Sequence, residues 1–100
     1  MRPIATAALR EFWTIHPQAE RPLRRWWKTA TLADWKSLAD VRRDYPVTDL
    51  VKGRKGDLLV FNIGGNDFRL ICRVEFGEAP LFVLFVGTHA EYDRLNVKEL

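Results

Sequence analysis

Nine residues near the end of the chain, FVGTHAEYD from Phe85 to Asp93, join an apolar stretch to several groups that can transfer protons. An imidazole titrates near neutral pH, so His89 can serve as a general acid or base. Tyr92 can donate a proton or stack on a nucleobase. A helical turn would place His89, Tyr92 and Asp93 on one side, whereas an extended segment would pair His89 with Glu91. An ordinary surface histidine and a tyrosine that anchors the tail are the alternative interpretations.

Two arginines in the segment FRLICRVEF, Arg69 and Arg73, can grip phosphate oxygens through forked hydrogen bonds. Because they lie four residues apart on a predicted strand, they point to the same side, roughly 13 Å from each other. A second basic group, Lys52, Arg54 and Lys55, lies in the glycine-containing turn KGRKGD and could guide an RNA backbone. For both groups, solvated side chains without a ligand are the alternative.

Apolar residues in the first half of the chain have the spacing of amphipathic helices. These helices are expected to pack on the strands that carry the candidate functional residues. Apolar residues recur at helical intervals in AALREFWTIH and again in the segment after Ala19, and a short third helix is predicted from Ser37 to a point before Pro46. The four tryptophans lie at core spacing and are expected to pack inside.

After residue 50 the periodicity changes to that of strands. FRLICRVEF alternates over nine residues, GGND is a hairpin signal, and LFVLFVG is apolar on both faces. The sequence therefore predicts a single α+β domain over residues 1–100, helical over about 6–45 and a sheet over about 49–90. We expect two or three helices packed on a three- to four-stranded, mainly antiparallel sheet whose other face is left open.

Composition excludes several classes of protein. A chain of 100 residues with a net charge of +3 permits an anionic partner without requiring one. The single cysteine, Cys72, excludes an internal disulfide and, with only two histidines far apart, argues against a metal site. No apolar run is long enough to span a membrane, so we expect a cytoplasmic protein without metal or other cofactor.

Several segments taken together resemble the HigB-type toxins of the RelE/ParE toxin superfamily, over roughly residues 4–97. The resemblance is carried by LREFW, HPQAE, ADW, the YP before the sheet, VFNIGGNDFRL and FVGTHAEYD. It implies the compact RelE-like fold and a cytoplasmic, metal-independent endoribonuclease that cuts mRNA on the ribosome. It also implies a cognate helix-turn-helix antitoxin as partner.

The resemblance further implies roles for individual residues. Arg69 matches a strand arginine of the family's active site, and His89 and Tyr92 match the pair that follows the last strand; all three are predicted to be catalytic. Arg73, mainly because it faces the same side of the strand as Arg69, and the basic turn 52–55, because of its charge, are predicted to bind substrate. This interpretation depends on Arg69 and His89 converging on one hollow that is open to solvent. A gyrase inhibitor of the ParE type and a non-catalytic module that binds RNA or antitoxin are the alternatives.

Overall fold

The computed structural model describes residues 1–77 and 80–100. Within this part of the chain, no helix has both the length and the apolar character needed to cross a membrane. In chain order the elements are β1 (Pro3–Ile4), α1 (Ala8–Ile15), a 3₁₀ turn (Pro17–Ala19), α2 (Glu20–Leu32), α3 (Leu38–Asp44), β2 (Asp49–Gly53), β3 (Gly56–Ile63), β4 (Phe68–Arg73), β5 (Leu81–Thr88), α4 (His89–Asp93) and a second 3₁₀ turn (Val97–Glu99).

The strands form one sheet in the order β1-β5-β4-β3-β2. Strands β2 to β5 pair antiparallel with their neighbours, while β1 pairs parallel with the start of β5. The predicted α+β class with a mainly antiparallel sheet is confirmed. The short strand at the start of the chain agrees with the sequence, which predicts an edge strand within Met1–Ile4. The sheet has five strands, one more than the upper predicted number, because Asp49–Gly53, which reaches into the predicted basic turn, joins it as β2.

The main core lies between the three long helices and one face of the sheet. Phe61 of β3 is fully buried at its centre, with ring centroids 5.4 Å from Trp26, 5.9 Å from Trp35 and 5.5 Å from Tyr45. The prediction that all four tryptophans pack inside is wrong for Trp27, which is 38% exposed. Trp27 lies next to the buried Trp26 on α2, so the two indoles point in different directions around the helix.

The hairpin between β3 and β4 turns at residues 64–67, as the motif GGND predicts. Gly64 and Gly65 have φ angles of +62° and +67°. Glycine adopts this left-handed conformation without strain, and the Asp67 N–H closes the turn by donating to the Gly64 carbonyl oxygen at 3.3 Å. The turn therefore brings Asn66 and Asp67 to a defined position at the start of β4.

The second face of the sheet is covered by the C-terminal segment, so the expectation of an open second face is wrong. Leu58, Val60 and Ile71 are buried there beneath apolar side chains of α4 and the tail: Tyr92, Leu95, Val97 and Leu100. The helical periodicity that identified the first three helices is absent from so short a segment. Its scattered apolar residues, however, pack against the apolar residues on this face of β3 and β4.

Candidate active site

Strand pairing brings the start of β4 and the end of β5 to the same edge of the sheet. Phe68 lies opposite Thr88, and Arg69 lies opposite Gly87. A side chain at position 87 would collide with the ring of Phe85, since its Cβ would lie 2.4 Å from the Phe85 Cζ. Glycine at this position therefore lets the backbone and the Phe85 ring pack closely where α4 begins.

Arg69 is buried, with 7% of the residue exposed, so the predicted open hollow around it is wrong. The Nη1 group donates to the carbonyl oxygens of Asn66 and Phe68, both at 3.1 Å, and Nη2 donates to the Asn66 side-chain oxygen at 2.7 Å. All three acceptors are uncharged. The sequence motif placed Arg69 on the correct face of the strand, but it did not indicate that the hairpin turn folds over the guanidinium.

The guanidinium of Arg69 has no carboxylate partner among the residues that the structure describes. Its carbon atom lies 5.8 Å from the centre of the Tyr92 ring, within the range of a cation–π contact. Three of the five N–H groups of the guanidinium are used in the hydrogen bonds to the turn. The site therefore holds a fixed positive charge, and none of the acidic side chains in residues 1–77 and 80–100 forms an ion pair with it.

His89 opens α4, so the helical alternative for HAEYD is the correct one. Its Nδ1 lies 3.0 Å from the Asp93 Oδ2, one helical turn away, and its side chain is 44% exposed. The carboxylate favours a proton on Nδ1, which leaves Nε2 of the neutral ring as an acceptor. Asp93 thus orients the imidazole of His89, whose side chain remains partly exposed to solvent.

Arg69 and His89 converge on the hairpin turn, although they do not contact each other directly. Arg69 bonds to Asn66, and the backbone N–H of His89 donates to the carbonyl oxygen of Asp67 at 3.1 Å. Tyr92 bridges them, since it lies on the same helix as His89 and beside Arg69. The three predicted catalytic residues therefore occupy one neighbourhood at the edge of the sheet.

A capping box fixes the start of α4. The Thr88 hydroxyl accepts from the Glu91 N–H at 3.1 Å, and the Thr88 N–H donates to the Glu91 carboxylate at 2.8 Å. The second bond is the main reason why the pKa of Glu91 lies below its ordinary value of 4.5. The charges of His16 and Arg94 act in the same direction, while burial opposes them.

The lowered pKa of Glu91 predicts an acid-dependent contribution to stability. A carboxylate with a lower pKa in the folded state stabilises the fold above its unfolded pKa, and this contribution is lost as the pH falls through the folded value. Urea unfolding of the Glu91→Gln variant should show a deficit at pH 6 that shrinks toward pH 3. The control Glu75→Gln removes an exposed carboxylate outside the capping box, and a deficit of equal size there would contradict the assignment.

Arg73 lies away from this neighbourhood. It lines a separate depression with Ile4, Phe82 and Leu84, near the short strand β1. Its Nε is buried and has no hydrogen-bond partner within residues 1–77 and 80–100. The structure therefore does not bring Arg73 together with Arg69, His89 and Tyr92.

The basic turn 52–55 is occupied mainly by contacts within the protein. Lys52 pairs with Asp57 at 3.1 Å, and Arg54 pairs with Glu99 at 2.8 Å. The Arg54 N–H also donates to the Lys98 carbonyl oxygen, which ties the turn to the C-terminal tail. The turn thus helps to hold the tail over the second face of the sheet, and Lys55 is exposed beside it.

Asn66 is a functional candidate that the sequence analysis missed, because GGND was interpreted only as a turn. Its side chain and carbonyl oxygen together orient the Arg69 guanidinium. An asparagine three residues before a strand arginine is the signal that was available. Within the described residues, no group of three His, Cys, Asp or Glu side chains is arranged to hold a metal ion.

Comparison with known proteins places this chain in a family. Residues 19–95 match the HigB toxin family, which is described as the RelE-like toxic component of a toxin-antitoxin system. The chain belongs to the HigB toxin family. The match covers α2, α3, strands β2 to β5 and α4, so it includes all the residues of the candidate site.

Curated relatives of this HigB toxin are similar over nearly their whole length. The chain is 28% identical to the mRNA interferase HigB of Escherichia coli O6:H1 over 96 residues, which cover 96% of this chain and 92% of that protein. It is 29% identical to the mRNA interferase toxin HigB of Escherichia coli K12, over 93% of this chain and 88% of that protein. The predicted resemblance to HigB-type toxins is confirmed.

Proposed function

We propose that this HigB toxin is an endoribonuclease that cuts mRNA on translating ribosomes and thereby inhibits translation. The proposal is carried by one observation: a histidine–carboxylate pair and an arginine that forms no ion pair with any described residue flank the same hairpin turn, with Tyr92 between them. The names of the relatives, which are mRNA interferases, support the same substrate. Arg69, His89 and Tyr92 are the proposed catalytic residues.

The proposed reaction uses the 2′-hydroxyl of the RNA as nucleophile and needs no metal ion. A base takes the proton of this hydroxyl, its oxygen attacks the adjacent phosphorus, and the bond to the 5′-oxygen breaks. The leaving oxygen receives a proton, so the products are a 2′,3′-cyclic phosphate and a 5′-hydroxyl. Nε2 of His89 can carry one of these protons, because Asp93 engages the other ring nitrogen.

Arg69 would stabilise the negative charge that develops on the phosphate oxygens. A cation that is held in place in a partly dehydrated site interacts strongly with this developing charge. It is already oriented before the reaction, so no rearrangement of the site is needed to stabilise the transition state. Arg69 is buried, contrary to the open hollow that the sequence-based interpretation required, so a phosphate can reach the guanidinium only if the turn at residues 64–67 moves aside. The Asn66 side chain, which bonds to Nη2, is the group that would yield to it.

Dependence on the ribosome follows from the small number of catalytic groups. One general acid or base contributes about 10²- to 10⁴-fold, so holding the RNA in a reactive geometry must supply much of the remaining acceleration. The purified protein should therefore cut mRNA on programmed ribosomes much faster than free mRNA of the same sequence. Equal rates on the two substrates would contradict ribosome dependence without contradicting RNA cleavage.

As a HigB toxin, the protein is one component of a toxin–antitoxin pair. We propose a cognate antitoxin of the helix-turn-helix type as its partner and the cytoplasm as the place where it meets ribosomes. Arg73, Lys52, Arg54 and Lys55 remain proposed RNA contacts. Since Lys52 and Arg54 already pair with acidic residues, Lys55 is the residue of the basic turn best placed to contact a phosphate.

A non-catalytic binding role is the second candidate, and the burial of Arg69 favours it. Three hydrogen bonds to the hairpin are also what an arginine with a purely structural role would make. The two candidates differ in what they require of His89, whose side chain is 44% exposed and pairs with Asp93. Loss of toxicity with retained antitoxin binding in a His89 variant would separate catalysis from binding.

A further inference from the structure

A groove of about 450 Å³ lies between α1 and α2, away from the candidate active site. Each helix contributes an arginine and a tryptophan three residues apart: Arg10 and Trp13 from α1, and Arg24 and Trp27 from α2. Residues at this spacing lie on the same side of a helix, so both pairs face the groove. The floor includes the apolar side chain of Leu9, and the Thr6 residue lies at the margin.

The two indoles differ in their surroundings. The Arg24 guanidinium carbon lies 4.7 Å above the centre of the Trp13 ring, so this ring is already covered by a cation. Trp27 is one of the large hydrophobic side chains that remain exposed, at 38%. An indole at the wall of a groove offers a flat surface on which any nucleobase can stack.

The cations of the groove are available to an anion. Arg24 pairs with Glu20 at 2.7 Å, but both side chains are about half exposed, and such surface pairs contribute little to stability. Arg10 has no carboxylate partner within the described ranges. Both guanidiniums can therefore turn toward a phosphate, to which they are geometrically well suited.

The positive charge of the sequence is concentrated in the part of the chain that forms this groove. Residues 1–32 contain six Arg or Lys and two Glu residues, a formal charge of +4, whereas residues 33–100 carry ten basic and eleven acidic residues, a charge of −1. The positive charge of the protein is thus concentrated on the segment that forms the groove. An anionic ligand is drawn to such a region over distances of about 10 Å at moderate salt.

We propose that this groove is a nucleotide-binding site, in which a base stacks on Trp27 and its phosphate lies between Arg10 and Arg24. The nucleotide can belong to a single strand of RNA or be free in solution, and the two sources share the same chemistry. The site is separate from residues 64–67 and α4, so it binds a nucleotide without cutting it.

The test uses 2′-O-methyl RNA, which lacks the nucleophile proposed above, so its binding does not depend on cleavage. The full-length protein is titrated into a labelled 2′-O-methyl oligonucleotide, and AMP is titrated in parallel into the protein. Replacing Trp27 by Leu should weaken binding by about 5- to 150-fold, while Trp27→Phe retains most of it. Arg10→Gln should also lower the dependence of log K on log salt by about 0.7 for the oligonucleotide.

The matched control is Arg21→Gln, which removes the same charge from an exposed position on α2 that does not line the groove. A site for single nucleotides is supported if both the oligonucleotide and AMP bind, and if Trp27→Leu and Arg10→Gln weaken this binding whereas Arg21→Gln does not. Binding of the oligonucleotide alone with the same pattern supports a site for an RNA strand. Absence of binding, or equal effects of Arg10→Gln and Arg21→Gln, would overturn the proposal.

Discussion

Replacing His89 by Gln is expected to slow RNA cleavage by about 10²- to 10⁴-fold, the usual contribution of one general acid or base. Glutamine can still form hydrogen bonds, but it cannot exchange a proton near neutral pH. The fold should remain intact, because the His89 side chain is 44% exposed and the capping box of α4 is formed by Thr88 and Glu91. Single-turnover cleavage on programmed ribosomes and thermal unfolding together measure both effects.

The matched control for this variant is His16→Gln, which removes the other imidazole of the chain. The His16 ring lies at the end of α1, with its centroid 4.6 Å from that of Phe12 and 6.1 Å from that of Phe68, so it is close to the candidate site. Within residues 1–77 and 80–100 it lacks the carboxylate partner that His89 has. This variant should cleave at the wild-type rate. Loss of a general acid or base should slow cleavage far more than about threefold. If the cleavage rate of His89→Gln is within about threefold of the wild-type rate, His89 is not part of the mechanism.

Replacing Arg69 by Lys is expected to reduce the cleavage rate by about 10²- to 10³-fold, the loss seen when one preorganised donor is removed from a transition-state site. Lysine keeps the positive charge but lacks the planar fork that bonds to Asn66 and Phe68. Because three acceptors lose their present partner, the variant should also be less stable by about 1–3 kcal/mol. Urea unfolding gives the stability, and single-turnover kinetics gives the rate.

The two effects of the Arg69 change can be separated by a second substitution. Asn66→Ala removes the side-chain oxygen that accepts from Nη2 of Arg69. The variant keeps the guanidinium and its charge, so it should change only the orientation of the Arg69 side chain. Arg43→Lys, the same exchange at an exposed position on α3, is the matched control for Arg69→Lys. If Arg69→Lys unfolds more easily but cleaves at the wild-type rate, the role of Arg69 is structural and the electrostatic role is wrong.

Periodicity was enough to predict the fold class. The alternation from Phe68 to Phe76 identified β4, although the strand ends at Arg73, and the GGND motif identified the turn that precedes it. The covered second face was not predictable in the same way. The tail lies there because its apolar side chains pack against apolar residues that strand pairing brings together on this face. The residues concerned are Tyr92, Leu95, Val97 and Leu100. No periodic pattern within the tail itself predicts this packing.

The candidate site was predicted in its residue types and only partly in its geometry. The sequence left two conformations open for HAEYD, and the capping box between Thr88 and Glu91 is the local interaction that selects the helix. Strand alternation gave the side on which Arg69 lies, but its burial depends on the Asn66 contact across the turn. Arg73 shares that strand, yet it lies by a different depression near Ile4.

The chemical nature of the RNA ends tests the proposed mechanism most directly. The purified protein is incubated with programmed ribosomes, and the termini of the cleaved mRNA are determined by mass spectrometry. Attack by the 2′-hydroxyl predicts a 2′,3′-cyclic phosphate, or the 3′-phosphate formed from it, together with a 5′-hydroxyl. A 3′-hydroxyl with a 5′-phosphate, or the absence of any cleaved RNA, would contradict the account.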